Sequence, residues 1–468
     1  MLKLRNLTSV LKNPISLILI YIVLCGIVNA RFIKFNDQAK DIALVAFLLI
    51  TLLIYIIYSC RLKFSAFLHK VFTWPNRIIL AYLTWSLITL GFAIDKKITL
   101  FYMIGGFLVF LTSFVLTKDL VNKDNFKKIL YAVGATGLIS VLYVLGTIIL
   151  GITSPDFDPA FARVNLVIGS YTIYNLPFLF SYFEHPNTLG IALFFSISSF
   201  LTLALLEKNK ILRMMLYLFS ILLVLGLVLT FSRASILATS VFGLLIGYQA
   251  LRKSNYLIPV FSTFLILVTI LATLGAYQIF LVKEKSMVNT NKSKSLVKTE
   301  NRWEIKKLSD EVNFQKPESG RKVVKSGLTS RGVLWRSAVE YIMGNPLVGA
   351  GFGNSEKAIE SKIIPNNENL VGLTPHNTYL RVGVESGVTG LILYLTIMFY
   401  FFKSFFIRLR RLSVEEFATL SIVVSYLVLQ FFEANFLFGT GFKSFYLLIF
   451  LAAGFAFINS KTYENINN

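Results

Sequence analysis

The stretch Thr188-Leu-Gly-Ile-Ala-Leu-Phe-Phe-Ser-Ile-Ser-Ser-Phe-Leu-Thr-Leu-Ala-Leu-Leu206 contains no charged side chain, and a second apolar run follows at residues 213–230. A helix of about 20 apolar residues crosses a hydrocarbon core roughly 30 Å thick. Similar runs recur along the whole chain, which is 55% hydrophobic and has a mean hydropathy of +0.69. The sequence therefore predicts a polytopic helical membrane protein.

The apolar runs predict an all-α integral membrane protein with about twelve transmembrane helices. Residues 1–280 hold nine of them and an outer loop at 152–187, residues 281–378 form a long extracytoplasmic loop, and residues 379–468 hold the last three. The predicted spans lie near residues 15–30, 41–60, 78–94, 98–117, 129–151, 188–206, 213–230, 235–251, 256–280, 379–402, 415–433 and 444–459.

The basic residues indicate the orientation of the chain. Lys and Arg are concentrated in the connections on the side of the N-terminus, and such residues are retained on the cytoplasmic side. Both termini are therefore expected to be cytoplasmic. This bias also accounts for much of the net charge of +22, so nucleic-acid binding is rejected. Cys25 and Cys60 lie within apolar spans, which favours neither a disulfide framework nor a metal–thiolate site.

The long loop at residues 281–378 has two parts. Residues 283–325 are rich in Lys and read as a solvated tether. Beyond them the apolar residues recur at helical spacing, and this pattern ends at Gly344-Asn-Pro346. We expect an amphipathic helix along the outer membrane surface. Its apolar stripe consists of Val333, Leu334, Ala338, Tyr341 and Ile342.

Two groups of arginines are expected on the outer side, against the topology rule. Arg233 lies in Thr230-Phe-Ser-Arg-Ala-Ser235, between two spans. It either snorkels to lipid headgroups or binds an anion at the membrane surface, and we favour the second interpretation. Arg331 and Arg336 open the amphipathic helix, where such a pair could bind an oligophosphate, although Arg336 taken alone more often lies on a solvated face.

His376 precedes the span at 379–402, and Arg381 and Glu385 follow it on one broad face of that helix. A histidine can take a proton from a hydroxyl at neutral pH. The alternative is a histidine that only begins a helix by bonding to its backbone. His185 precedes the span at 188–206 in a similar position and could orient a sugar or merely begin a helix.

Other features argue against metal sites and transport. Asp156-Phe-Asp158 has the form of a metal-binding pair, but two carboxylates at this spacing arise easily by chance. Gly349, Gly351 and Gly353 predict a tight turn rather than a nucleotide-binding loop. The predicted spans carry no Asp, Glu, Lys or Arg near their midpoints, which argues against an ion-coupled transporter.

Four motifs follow one another in the second half of the chain: Ser330-Arg-Gly-Val-Leu-Trp335, Asn345-Pro-Leu-Val-Gly-Ala-Gly351, Pro375-His-Asn-Thr-Tyr-Leu380 and Glu385-Ser-Gly-Val-Thr-Gly390. Their order resembles the O-antigen ligase and O-antigen polymerase superfamily of bacterial membrane glycosyltransferases. The resemblance covers about residues 185–400. It implies a multi-span helical fold, a donor glycan on undecaprenyl pyrophosphate, and inversion at the anomeric carbon without a metal or other cofactor.

Carried over residue by residue, the resemblance places the donor pyrophosphate on Arg233 and Arg331 and makes His376 the group that activates the acceptor hydroxyl. Fixed cations can stabilise a pyrophosphate leaving group without a metal. Some polymerases have paired Arg-to-Gly motifs in outer loops, and this sequence has no such pair, which counts against a polymerase but leaves both ligase and polymerase open. The supporting or acceptor-binding residues are expected to be Arg336, Asn377, Arg381, Glu385 and His185.

The sequence thus predicts a glycosyltransferase of the bacterial cytoplasmic membrane with an extracytoplasmic active site. It would move a glycan from undecaprenyl pyrophosphate onto a glycan or lipid acceptor during surface polysaccharide biosynthesis. The alternative is a lipid-linked oligosaccharide flippase, which also has about a dozen spans but should line its cavity with charges at membrane depth.

Overall fold

A computed structural model describes residues 14–29, 45–55, 71–150, 161–168, 171–179, 186–230, 232–252, 328–362, 372–434, 438 and 442–466. These ranges are mostly helical. We number the helices in chain order: α1 (Pro14–Asn29), α2 (Val45–Tyr55), α3 (Asn76–Ile88, extended by a 3-10 turn at Thr89–Phe92), α4 (Lys96–Leu120, π-helical at Phe110–Leu116), α5 (Lys123–Leu150), α6 (Pro186–Leu206), α7 (Lys210–Leu229), α8 (Arg233–Arg252), α9 (Leu328–Gly344), α10 (Ser355–Glu360), α11 (Thr378–Phe406), α12 (Val414–Gln430) and α13 (Phe442–Ile466).

The predicted helical membrane architecture is confirmed. Within the described ranges, five helices are long and apolar enough to cross a membrane: Lys96–Leu120, Asn187–Leu206, Lys210–Leu229, Arg233–Arg252 and Thr378–Phe406. Several shorter apolar helices accompany them, among them Asn76–Phe92 and Phe442–Ile458. The number of about twelve spans stays a prediction, and the span expected at residues 256–280 lies outside the described residues.

The predicted outer loop at 152–187 departs from the all-α expectation. It contains two antiparallel strands, β1 (Phe161–Ile168) and β2 (Tyr171–Leu179). Ile168 pairs with Tyr171 next to the turn, and the register is irregular between Val164 and Leu166. The segments are rich in β-branched and aromatic residues, which favour strands over helices. The strands were not predicted, because this loop was recognised only by the absence of an apolar run long enough to span a membrane.

Small residues let the helices of the bundle approach one another closely, as is usual for membrane helices. Gly137 of α5 faces Ser196 of α6, and Gly226 of α7 faces Val141 of α5. Gly190 of α6 lies so close to α8 that an added Cβ atom would be 2.7 Å from Ser232 Cβ. This last contact fixes the beginning of α8 against the first turns of α6.

The amphipathic helix predicted before Gly344-Asn-Pro346 is present as α9, which ends at Gly344. Three residues of its predicted stripe, Leu334, Ala338 and Tyr341, are buried, and Val333 and Ile342 pack around them. The stripe packs against α10 and α11 through Ile359 and Val384, so its apolar face is buried against protein. Its expected position along the membrane surface stays a prediction.

The predicted tight turn at Gly349–Gly353 connects α9 to the membrane helices. Gly349, Gly351 and Gly353 all have positive φ, between 66° and 89°, a conformation that glycine adopts without steric strain. Ala350 N donates to Val384 O, and Ile94 N donates to Ala350 O. The turn thereby joins the beginning of α4 to α11 on the face of the bundle where α9 lies.

Candidate functional site

The candidate site lies where the first turn of α9 meets the beginning of α11. Arg331 is in the first turn of α9, and His376 lies two residues before Thr378, the first residue of α11. Trp335 Nε1 donates a hydrogen bond to Pro375 O at 2.7 Å, which ties α9 to the residue next to His376. The structure therefore brings together the predicted cation and the predicted base, which lie far apart in the sequence.

The backbone of His376 has a left-handed conformation. Its φ of 48° is the one positive value among the non-glycine residues that the structure describes. Such conformations are uncommon outside glycine, and they concentrate at functional sites. The next residue, Asn377, is the N-cap of α11 and accepts a hydrogen bond from Leu380 N at 3.0 Å. The cap fixes the start of the helix and presents the partly exposed imidazole beside it.

Glu433 is the residue that sequence reasoning missed. It follows α12, and its side chain is only 8% exposed. Its Oε1 atom is 3.9 Å from Arg331 Nη2 and accepts a hydrogen bond from Asn187 Nδ2, whereas its Oε2 atom is 3.9 Å from His376 Nδ1. One buried carboxylate therefore faces both predicted functional side chains. An acidic residue at the end of an apolar span was the signal available in the sequence.

The basic side chains around Glu433 lower the pKa of its carboxyl. Burial raises the pKa of this carboxyl, but the neighbouring His376, Lys443 and Arg331 lower it by more, so the net pKa lies below that of an ordinary glutamate. Glu433 lies in the turn after Gln430, where α12 ends. The carboxyl of Glu433 thus lies among the basic side chains of the site.

The turn that carries Glu433 is held by the beginning of α11. Asn377 Nδ2 donates to Phe431 O at 3.1 Å, and Thr378 Oγ1 donates to Glu433 O at 2.8 Å. Arg381 Nη1 donates to Ala434 O at 3.4 Å. Since the same helix carries His376 at its start, the imidazole and the carboxylate are fixed to one frame. Asn377 and Arg381 were expected to support the site, and they lie where they can do so.

Arg381 also forms an ion pair inside the protein. Its Nε atom is 2.9 Å from Glu385 Oε1, and the two side chains are 11% and 1% exposed. Glu385 lies just before a kink at Gly387, whose φ is 68°. Gly351 N donates to Glu385 O, so the kink is the point where the glycine turn attaches to α11. Glu385 contacts Arg381, so its expected supporting role at His376 would be an indirect one, through Arg381.

Arg233 is the first residue of α8, and its side chain is exposed. Its neighbour Ser232 packs on Gly190, one turn after Asn187, which bonds to Glu433. Arg233 thus begins α8 beside the first turns of α6, the helix that carries Asn187.

Several helices begin at this face: α6 with Asn187, α8 with Arg233, and α11 just after His376. Lys443, whose charge acts on Glu433, lies at the start of α13. The N-terminus of a helix carries a positive partial charge and unpaired amide groups that favour anions. The combined field of these helix ends and side chains suits a multiply charged anion such as a diphosphate.

One predicted residue that the structure describes, Arg336, is not brought into the site. Arg336 is 83% exposed and pairs with Glu340 at 2.8 Å, one turn further along α9. Five residues separate it from Arg331, which places the two on different faces of the helix. His185 lies outside the described residues, as do Asp156 and Asp158. Among the described residues, no group of three His, Cys, Asp or Glu side chains could hold a metal ion.

Part of the chain is similar to a known protein family. Residues 218–395 match the family described as O-antigen ligase. This match confirms the resemblance to the O-antigen ligase/polymerase superfamily that was inferred from the motifs. No curated protein matches the chain significantly.

The matched segment includes Arg233, Arg331 and His376 but ends before Glu433. The resemblance therefore points to three of these four charged side chains. The fourth was found from its contacts in the folded chain.

Proposed function

We propose that this protein is a membrane glycosyltransferase of the O-antigen ligase/polymerase type. It transfers a glycan from undecaprenyl pyrophosphate onto an acceptor hydroxyl at the outer face of the cytoplasmic membrane, during surface polysaccharide biosynthesis. The observation that carries this proposal is the grouping of Arg331 and His376 around Glu433, at a face where several helices begin. The family match over residues 218–395 supports it independently.

Arg331 and Arg233 bind the pyrophosphate of the donor. A pyrophosphate leaving group gains negative charge as its bond to the sugar breaks, and pre-positioned cations stabilise that charge without rearranging. The two guanidinium groups, with the N-termini of α8 and α11, supply this charge without a metal. A charge-assisted hydrogen bond of this kind contributes about 1.5–3 kcal/mol.

His376 activates the acceptor. In the neutral state it takes the proton of the acceptor hydroxyl while the hydroxyl oxygen attacks the anomeric carbon. A new carbon–oxygen bond forms, and the bond from the anomeric carbon to the pyrophosphate breaks. The electron pair leaves with undecaprenyl pyrophosphate. Because the attack occurs opposite the leaving group, the anomeric configuration is inverted.

The acceptor divides this proposal into two forms. If the acceptor is another lipid-linked repeat, the enzyme is a polymerase; if it is a different surface molecule, the enzyme is a ligase. Both forms use the same three side chains, because the donor and the proton transfer are the same. The distinction therefore depends on the glycan products.

The test is a gene deletion in the host, complemented with the wild-type protein, with His376→Asn or with Arg331→Ala. The surface glycan and the polyprenyl-linked pool are both sized by gel and mass spectrometry. Single repeats left on the lipid indicate a polymerase, and full-length chains left on the lipid indicate a ligase. A donor confined to the cytoplasmic leaflet would instead indicate a flippase.

The variants test the site separately from the pathway. We expect both to accumulate in the membrane at wild-type levels and to fail to complement the deletion. Complementation by both variants would refute the catalytic assignment, and an unchanged glycan profile after the deletion would refute the proposed function in this pathway.

A further inference from the structure

Glu433 has no part in the mechanism above, although it is buried between Arg331 and His376. We propose that Glu433 is a positioning residue: its carboxylate holds the Nδ1 proton of His376, so that Nε2 is free to take the proton of the acceptor. This inference rests on the proposed function, in which His376 is the base. The matched family segment ends before Glu433.

The two oxygens of Glu433 have different partners. Oε1 accepts the hydrogen bond from Asn187 Nδ2 and faces Arg331, whereas Oε2 faces His376 Nδ1. The distance of 3.9 Å to Nδ1 is about 1 Å longer than a hydrogen bond. Catalytic hydrogen bonds are often this long without substrate and shorten in the reacting complex. Oε2 is therefore the oxygen available to the imidazole.

The carboxylate is held in place through its backbone. The carbonyl oxygens of Phe431, Glu433 and Ala434 accept hydrogen bonds from Asn377, Thr378 and Arg381. His376 directly precedes these donors, so the turn after α12 is fixed to the element that carries the imidazole.

The charged groups around Glu433 link this role to donor binding. From α9 it faces Arg331, from the start of α11 it faces His376, and from the start of α13 it feels the charge of Lys443. Tyr426 on α12 is a further titratable neighbour within the described part of the chain. When the donor pyrophosphate binds Arg331, the attraction between Arg331 and the Glu433 carboxylate becomes weaker. This carboxylate is then directed towards Nδ1 and stabilises the imidazolium that forms, as in carboxylate–histidine pairs of hydrolases.

The test uses purified protein in lipid nanodiscs, mixed with membranes of the deletion strain, which supply their accumulated lipid-linked glycan. Initial rates of glycan transfer are measured against pH for the wild type, Glu433→Gln and Glu433→Asp. Glutamine keeps the size of the side chain and removes its charge. Aspartate keeps the negative charge, but its side chain is shorter. The matched control is Glu340→Gln, since Glu340 is an exposed acid on α9 that pairs only with Arg336 among the described side chains.

We expect Glu433→Gln to lower kcat about 10- to 100-fold. We also expect the acidic limb of its pH–rate profile to move to lower pH, because the carboxylate no longer stabilises the protonated imidazole. Glu433→Asp should lower kcat but leave that limb in place. In a His376→Asn background, Glu433→Gln should cause little further loss, because it acts through the histidine. Glu340→Gln should behave like the wild type.

Two results would overturn the inference, and a third would concern the proposed function. An unchanged rate and pH profile in Glu433→Gln would show that the carboxylate does not act on His376. A lower rate with an unmoved profile, together with a lower unfolding temperature, would show a purely structural role. Full activity of His376→Asn would instead show that His376 is not the base, and this result would refute the proposed mechanism.

Discussion

Trp335 donates its indole hydrogen bond to the carbonyl oxygen of Pro375 at 2.7 Å. The two residues lie on different elements, and the bond joins the helix that carries Arg331 to the residue before His376. This indole N–H group thus helps to set the position of the predicted diphosphate ligand Arg331 relative to the predicted base His376. In α3, Trp85 Nε1 donates to Ser386 O at 2.9 Å in a bond of the same type, next to the kink of α11.

Replacing Trp335 with Phe should therefore affect transfer more than stability. The change removes the N–H donor and leaves the Pro375 carbonyl without that bond, which costs about 0.5–1.5 kcal/mol of folding free energy. We expect the transfer rate to fall several-fold because α9 is no longer tied to His376. The control is Trp85→Phe, which should lower the unfolding temperature by a similar amount and leave more activity. Equal activity of the two variants would contradict this prediction.

His376→Asn should abolish most activity and leave the fold intact. Asparagine tolerates the left-handed backbone that His376 adopts, with a φ of 48°, but it cannot accept the proton. We expect a loss of about 10²–10⁴ in rate. His376→Ala should lose the same activity and also show a lower unfolding temperature, since alanine is less tolerant of this conformation. Thermal unfolding in detergent, measured beside the transfer rate, separates the two effects.

Arg331 and Arg336 offer a comparison within one helix. Arg331→Ala should lower the transfer rate about 10- to 100-fold, which corresponds to the roughly 1.5–3 kcal/mol of a charge-assisted hydrogen bond. Arg331→Lys should recover only part of it, because an ammonium group lacks the planar fork of guanidinium. Arg336→Ala should retain most activity, since this side chain is 83% exposed and pairs with Glu340. Loss of activity in Arg336→Ala would instead favour a supporting role for this residue at the site.

Removing one member of the buried pair of Arg381 and Glu385 should destabilise the protein more than removing both. Arg381→Met leaves the Glu385 carboxylate buried without its cation, and such a change costs about 3–5 kcal/mol. The double variant Arg381→Met/Glu385→Met should recover much of that stability. It should remain poorly active, because Arg381 also donates to Ala434 O beside Glu433. The unfolding temperature and the transfer rate of these two variants test both statements, and full activity of the double variant would contradict the second.

Asp95 should stabilise the protein in a pH-dependent way. A hydrogen bond from Lys357 Nζ, at 2.8 Å, and further hydrogen bonds from the amides of Ile98 and Lys97 hold the pKa of this carboxyl below its ordinary value. Its contribution is therefore present above the pKa of an unfolded aspartate and is lost as the pH falls through the lower value of the folded protein. Asp95→Asn keeps an N-cap residue for α4 but loses the charge.

The unfolding temperature of the wild type should exceed that of Asp95→Asn near pH 7, and the difference should shrink towards about pH 3. A difference that stays constant with pH would show that the ion pair with Lys357 contributes nothing. The pair joins α4 to α10, which follows the glycine turn at Gly349–Gly353. The same variants would therefore also test how much this contact stabilises the position of the turn.

The sequence determined the helices closely. Apolar runs predicted spans at 188–206, 213–230 and 235–251, and the structure has α6, α7 and α8 within a few residues of these limits. Gly344-Asn-Pro346 correctly marked the end of α9. These features are local, because run length, helical periodicity and breaker residues act over one or two turns. The strands β1 and β2 were missed because short alternating segments give a weaker signal than long apolar ones.

The sequence also indicated three side chains of the candidate site, through unusual charge and through the resemblance. It gave no means of finding the contact between Asn187 and Glu433, or the one between Trp335 and Pro375. Such contacts join residues that are far apart in the chain and are set by how helices pack. Charge, apolar run length and turn chemistry by themselves determined that this is a helical membrane protein with cations on one face. Only the tertiary structure decided that one buried carboxylate lies between them, because this depends on the packing of α6, α9, α11 and α12.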